Sequence, residues 1–169
     1  MANTFVKIAT VNASGSSSTI DFTSIPSTYT DLVVKISARS TSGAAVYAQV
    51  DMTFNGTSTN RTNRMLYGTG SAAASTNGTN FTWEVNGAAS TASTFANSEI
   101  YIPNYAGSTN KSFSIDSVQE TNATASYADL LAGLWASTAA INQITITMNA
   151  TYVNFAQYST ATLYGISKS

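Results

Sequence analysis

Two glutamates with aromatic neighbours are the residues here whose types could act on a substrate. Glu84 lies in FTWEV beside Trp83, and Glu99 lies in SEIYI beside Tyr101. Glycoside hydrolysis needs two carboxyl groups flanking a cleft, and aromatic rings both stack on sugars and raise a carboxyl pKa by burying it. Both glutamates, however, fall in strand-like segments at alternating positions, where acids ordinarily face solvent. The expectation is two solvated strand positions and no enzymatic activity, because perturbed catalytic carboxyls need more titratable company than this.

The remaining chemical inventory is short. The chain contains no Cys and no His, which removes thiol nucleophiles, Ser-His-Asp triads, imidazole bases and the usual zinc sites. No Asp/Asn/Gly loop resembles an EF-hand, so no metal or cofactor is expected. Arg61 and Arg64, in TNRTNRM, form the one local basic pair and read as loop arginines rather than a phosphate site. N-x-S/T sequons occur at Asn12, Asn55, Asn60, Asn77, Asn80, Asn110, Asn122 and Asn149. In a chain this rich in Ser and Thr they follow from composition.

Aromatic residues carry a second possibility. Tyr29, Tyr47, Tyr67, Tyr101, Tyr105, Tyr127, Tyr152 and Tyr158 fall largely at strand ends or in loops. Rings so placed cap a core, anchor a protein interface or stack on a glycan. For glycan stacking the candidates are Trp83 and Tyr105, whereas Trp135 belongs more naturally to a core.

These side chains must be positioned by a sheet. Of the 169 residues only 9% are charged, against roughly 25% in ordinary soluble domains. The polarity comes instead from 26 Thr, 24 Ser and 15 Asn. With a net charge of −1, such a surface projects little long-range field, so neither nucleic acid nor an anionic membrane is an expected partner. The longest apolar run, 130–136, is too short to span a bilayer. The start, MANTFVKIATVNASGS, lacks the apolar core of a secretory signal. Composition is even throughout, with prolines only at Pro26 and Pro103, which points to a single domain over 1–169.

Period-two alternation dominates. Leu32, Val34, Ile36 and Ala38 share one face of 31–39, and Val46, Ala48, Val50, Met52 and Phe54 share one face of 46–54. The pattern recurs at 112–118 and 142–149, and more weakly at 5–11, 20–22, 80–85, 99–102, 130–135 and 160–166. β-Branched Thr, Val and Ile suit these segments because they pack well on a pleated surface. Low-complexity stretches at 68–80 and 87–98 read as surface loops, and a helical turn is possible near 127–131. Asn-Gly pairs at 55–56, 77–78 and 86–87 offer the positive φ of tight hairpins. One-sided burial in about eight to ten short strands predicts an all-β fold, a single antiparallel β-sandwich of jelly-roll type.

FTSIPSTYTDLVVKISARS, the FNG at Phe54–Gly56, GLWASTAAINQITI and the terminal STATLYGISKS together resemble a group of small virion proteins of tailed bacteriophages, cyanophages among them. The resemblance covers roughly the first third and the last quarter of the chain, and IPSTYTDL and TLYGI are its most specific pieces. It implies a β-sandwich on the phage particle and brings no catalytic residues. The expected role is a capsid decoration (cement) protein on the capsid exterior, assembled in the host cytoplasm. Its expected partners are the major capsid protein and copies of itself in a homotrimer. The N-terminal arm 1–7 and a loop from Thr57 to Asn80 would make the contacts, with Phe5, Lys7, Arg61, Arg64 and Tyr67 at the interface. The alternative is a carbohydrate-binding module of a tail fibre or spike, stacking sugars on Trp83 and Tyr105.

Overall fold

The chain alternates between two sheets as it runs. A computed structural model describes residues 4–122 and 126–167. Strands β1 (Phe5–Asn12), β2 (Thr19–Phe22), β3 (Asp31–Ala38), β4 (Tyr47–Phe54), β5 (Arg61–Gly68) and β6 (Ala73–Gly78) occupy the first half. Strands β7 (Thr82–Asn86), β8 (Ala96–Ile102), β9 (Lys111–Val118), β10 (Ala128–Trp135), β11 (Ile144–Met148) and β12 (Thr160–Ile166) follow, with one 3-10 turn at Ala150–Tyr152. An eight-stranded sheet has the order β1-β12-β3-β8-β9-β10-β5-β6, and a four-stranded sheet has the order β2-β11-β4-β7. Every strand pairing is antiparallel, giving the all-β sandwich expected from the alternation.

The pairing is nested. β1 pairs with β12, β2 with β11, β3 with β8 and β4 with β7. The chain thus runs out and back as a double ribbon wound around one core. Two strand pairs interrupt the ribbon: β5–β6 is inserted between β4 and β7, and β9–β10 between β8 and β11. Both add to the large sheet on the far side of β8.

Every segment expected to be a strand is one, and the helical turn considered near 127–131 is instead the start of β10. The expected contact loop from Thr57 to Asn80 is largely the β5–β6 hairpin, paired from Asn63↔Gly78 to Gly68↔Ala73. Only one Asn-Gly pair uses positive φ: Asn55 (52°) and Gly56 (69°) close a tight turn in which the Thr57 amide donates to the Phe54 carbonyl at 3.0 Å. That turn makes no hairpin; it sends the chain from the small sheet into the large one.

Between the sheets, alternate side chains interlock. Phe54 is the hub, its ring 5.3 Å from Phe113, 5.6 Å from Trp135 and 5.8 Å from Phe81. Phe81 and Phe113 meet edge to face at 4.6 Å, the arrangement the ring quadrupoles favour. Gly133 is the floor beneath Phe113: a Cβ there would lie 2.2 Å from the ring. The stretch 87–98, expected to be a loop, is one only as far as Phe95, with Ala96 opening β8, and that loop is an organised one. Arg39 Nη2 donates to the carbonyls of Ala88 (2.8 Å) and Ser90 (2.9 Å), and Nη1 donates to Ser90 Oγ (2.9 Å) and the Thr91 carbonyl (2.8 Å).

Candidate functional site

β7 ends the small sheet, and its open side faces side chains from the large one. There the Glu84 amide donates to Asp129 Oδ2 at 3.1 Å, and the Glu84 carbonyl accepts from Ser117 Oγ at 3.0 Å. Side chains thus satisfy a strand edge that would otherwise bury unpaired backbone groups. Ser117 also contacts Ser98 Oγ at 2.8 Å, which accepts the Trp83 indole N–H at 3.1 Å.

The Glu84 side chain is equally engaged. Gln49, its register partner on β4, donates from Nε2 to Oε1 at 3.1 Å. The buried Asp129 carboxyl has its pKa pushed up to about 8, first by desolvation and then by the adjacent Glu84 carboxyl. Burial beside a second carboxyl disfavours the Asp129 anion. Among the described residues no hydrogen bond engages Glu84 Oε2 or Asp129 Oδ1.

Above Glu84 opens a recess of about 250 Å³, lined by Tyr47 and Gln49 from β4, Tyr67 from β5, Thr76 from β6, and Tyr127. The rings of Tyr47 and Tyr127 meet edge to face at 5.0 Å, and Tyr67 lies 6.1 Å from Tyr127. Burial raises the Tyr127 hydroxyl pKa, keeping it a neutral donor. The recess exists because β5 and β6 extend the large sheet past the edge of β7.

The residues expected to act do not assemble. Glu99 lies on β8 and forms an accessible ion pair with Lys35, away from the Glu84–Asp129 contact. Trp83 and Tyr105 are 0% exposed. Neither offers a ring face to a sugar: Trp83 is a core residue hydrogen-bonded to Ser98, and the Tyr105 hydroxyl donates to the Pro26 carbonyl. Arg61 is also buried, its Nη1 held by both Asp51 oxygens at 2.9 and 3.0 Å and its guanidinium 5.3 Å from the Phe81 ring centroid. It braces the core through these contacts. Tyr67 faces the recess, whereas Arg64 points to the opposite side of β5 and lines an outer groove with Leu66 and Leu130. Phe5 and Lys7 are exposed on β1 at the other edge of the sheet, six strand spacings from β5, or roughly 29 Å. The five expected contact residues therefore do not share one surface. Of the expected N-terminal arm, Met1–Asn3 lie outside the described residues.

Asp129 is not among the residues expected from the sequence, although its signal is present. In ADLLAGLW it has the parity of Leu131 and Trp135, and an acid sharing a buried face is a rare event.

The outer face of the large sheet is divided. One transverse row reads Thr10, Thr162, Lys35, Glu99, Asp116, Leu130, Leu66, Ser75 from edge to edge. It is polar and charged as far as β9, apolar at Leu130 and Leu66, and polar again at Ser75. Leu66 is 61% exposed and Leu130 53% exposed. Val118, Leu134, Ala128 and Ala132 add apolar surface along the neighbouring rows, where Thr62 and Arg64 are the β5 partners of Leu134 and Ala132.

Among the described residues no group of three or more acidic side chains is placed to hold a metal ion, and no helix is long and apolar enough to cross a membrane. No protein-family model, curated protein or solved structure matches the chain, so its role is argued from residues and geometry.

Proposed function

We propose that the chain is a structural protein of a tailed-bacteriophage particle: a decoration subunit that sits on the capsid exterior as a homotrimer and bridges major capsid subunits. The observation that carries this reading is the apolar half of the outer face. Large aliphatic residues paired across adjacent strands, Leu66 opposite Leu130, are exposed on a sheet face that no described residue covers. A contiguous patch of that kind marks a protein contact. A fully paired sheet beneath it loses little conformational freedom on docking.

The winding supports the same reading. Setting the two inserted strand pairs aside, the orders β1-β12-β3-β8 and β2-β11-β4-β7 are those of a jelly roll, an architecture used by viral capsid and lectin domains. The insertions fall on one side and build the apolar extension, so what is added to the plain winding is the surface assigned to assembly. A standard interface of about 800 Å² per partner, repeated over a lattice, raises the free energy of opening the shell by mass action.

A carbohydrate-binding module built on Trp83 and Tyr105 has no support in the geometry, since both rings are core residues. Cryo-electron imaging of purified particles tests the favoured reading. Density for this sandwich over the capsid lattice, large-sheet face inward, is expected; its absence from the lattice overturns the proposal.

A further inference from the structure

We infer that the tyrosine-lined recess over Glu84 is a binding site for one neutral sugar ring, such as the terminal hexose of a surface glycan. This goes beyond the capsid role and stands on a different face of the molecule, because the recess opens on the inner side of β5 and the capsid contact is assigned to its outer side.

Three features define the ligand. The first is size: about 250 Å³ lies below the roughly 300–1,000 Å³ of pockets for drug-sized molecules, which suits a single ring. The second is the mixture of surfaces. Tyr47, Tyr67 and Tyr127 present aromatic faces and edges to the apolar C–H side of a sugar. No hydrogen bond among the described residues engages their hydroxyls. The third is the acceptor at the base. Glu84 is only 8% exposed yet lines the recess. Its oxygens have about four lone-pair sites: Gln49 fills one on Oε1, and Oε2 has no hydrogen-bond partner among the described residues. Sugar hydroxyls are the donors that would fill the rest, and an unfilled buried acceptor is costly enough to give selectivity.

Charge excludes anionic ligands. The carboxyl pair stands at the base of the recess, Arg61 is committed to Asp51, and Arg64 is on the far side of β5. A sialic acid or a phosphosugar would meet repulsion with no cation to offset it.

The test is saturation-transfer NMR on the full chain, using the methyl glycosides of glucose, galactose, mannose and N-acetylglucosamine, with N-acetylneuraminic acid as the anionic probe. At least one neutral glycoside should receive transfer, with a millimolar dissociation constant by amide-shift titration. Glu84→Gln should raise that constant at least tenfold, and Tyr67→Ala should raise it severalfold, at unchanged thermal midpoints. Tyr158→Ala, which alters a ring exposed elsewhere, should leave it unchanged. Should Glu84→Gln fail to fold, Gln49→Ala takes its place with the same expected loss. No transfer to any neutral glycoside, preference for the acidic sugar, or binding indifferent to both recess variants overturns the inference. None of these outcomes bears on attachment to the capsid.

Discussion

Asp129 on β10 and Glu84 on β7 join the two sheets: the Asp129 carboxyl accepts the Glu84 amide proton at 3.1 Å, and burial beside the Glu84 carboxyl raises its pKa. The charged and titratable groups around the pair are few. Tyr47, Tyr127 and Tyr152 face it, and Gln49 is its neutral neighbour.

This contact makes stability depend on pH, with a definite sign. Asp129 has a folded pKa of about 8, against about 3.9 for an unperturbed aspartate. Between those values the folded chain holds a proton that the unfolded chain releases. Stability contributed by this group is therefore complete below the unfolded pKa and is lost as pH rises through the folded one, with a limiting slope of about 1.4 kcal/mol per pH unit. Asp129→Asn supplies an amide N–H in place of the carboxyl proton and a carbonyl for the Glu84 amide. Urea midpoints of wild type should fall from about pH 5 to about pH 8, the span this raised pKa governs. Those of the variant should stay flat and exceed wild type at the alkaline end. Parallel curves for the two proteins would rule out the raised Asp129 pKa.

The floor of the aromatic cluster is the most sensitive point in the core. Gly133→Ala would place a methyl 2.2 Å from a Phe113 ring already fixed by Phe54 and Phe81. Overpacking of this kind costs about 1–3 kcal/mol, and the rigid surroundings place the expected loss at the upper end. Adding Phe113→Leu should recover part of it. Strictly additive losses in the double variant, by chemical denaturation, would show that the ring and the glycine are not coupled.

The apolar half-face should matter for assembly and not for folding. Leu66→Glu and Leu130→Glu change side chains that are more than half exposed, so stability should shift by about 0.5 kcal/mol or less. Co-sedimentation with heads lacking the protein should be abolished in both variants. Lys7→Glu, on the distant edge strand, should bind like wild type. Undiminished binding of the two leucine variants would remove the assigned face.

What the sequence disclosed, and what it hid, follows from how each strand buries its residues. Strands β3, β4 and β11 put apolar side chains inward at every second position, and β9 does so at Phe113 and Ile115, so alternation alone finds them. β5 inverts the signal: Arg61 and Asn63 face inward, satisfied by Asp51 and by the Asn80 carbonyl, while Leu66 faces out. No hydropathy pattern reveals a strand whose buried residues are charged. β6 has small polar and alanine residues accessible on both faces and is held by pairing alone. The recess shares this opacity, because Tyr47, Tyr67, Tyr127 and Glu84 come from strands and a loop scattered along the chain. They meet only because the hidden β5–β6 pair overhangs β7. The burial of Trp83 is equally hidden, since a ring at a strand position reads the same on either face until the register is fixed, and that of Tyr105 depends on a turn after β8 folding back onto the Pro26 carbonyl.

The copy number of this chain in purified virions, by quantitative mass spectrometry against the major capsid protein, tests the assembly role most directly. A decoration subunit predicts hundreds of copies in fixed ratio to the capsid protein. A dozen copies or fewer, or none, would contradict it and place the sandwich on the tail or off the particle.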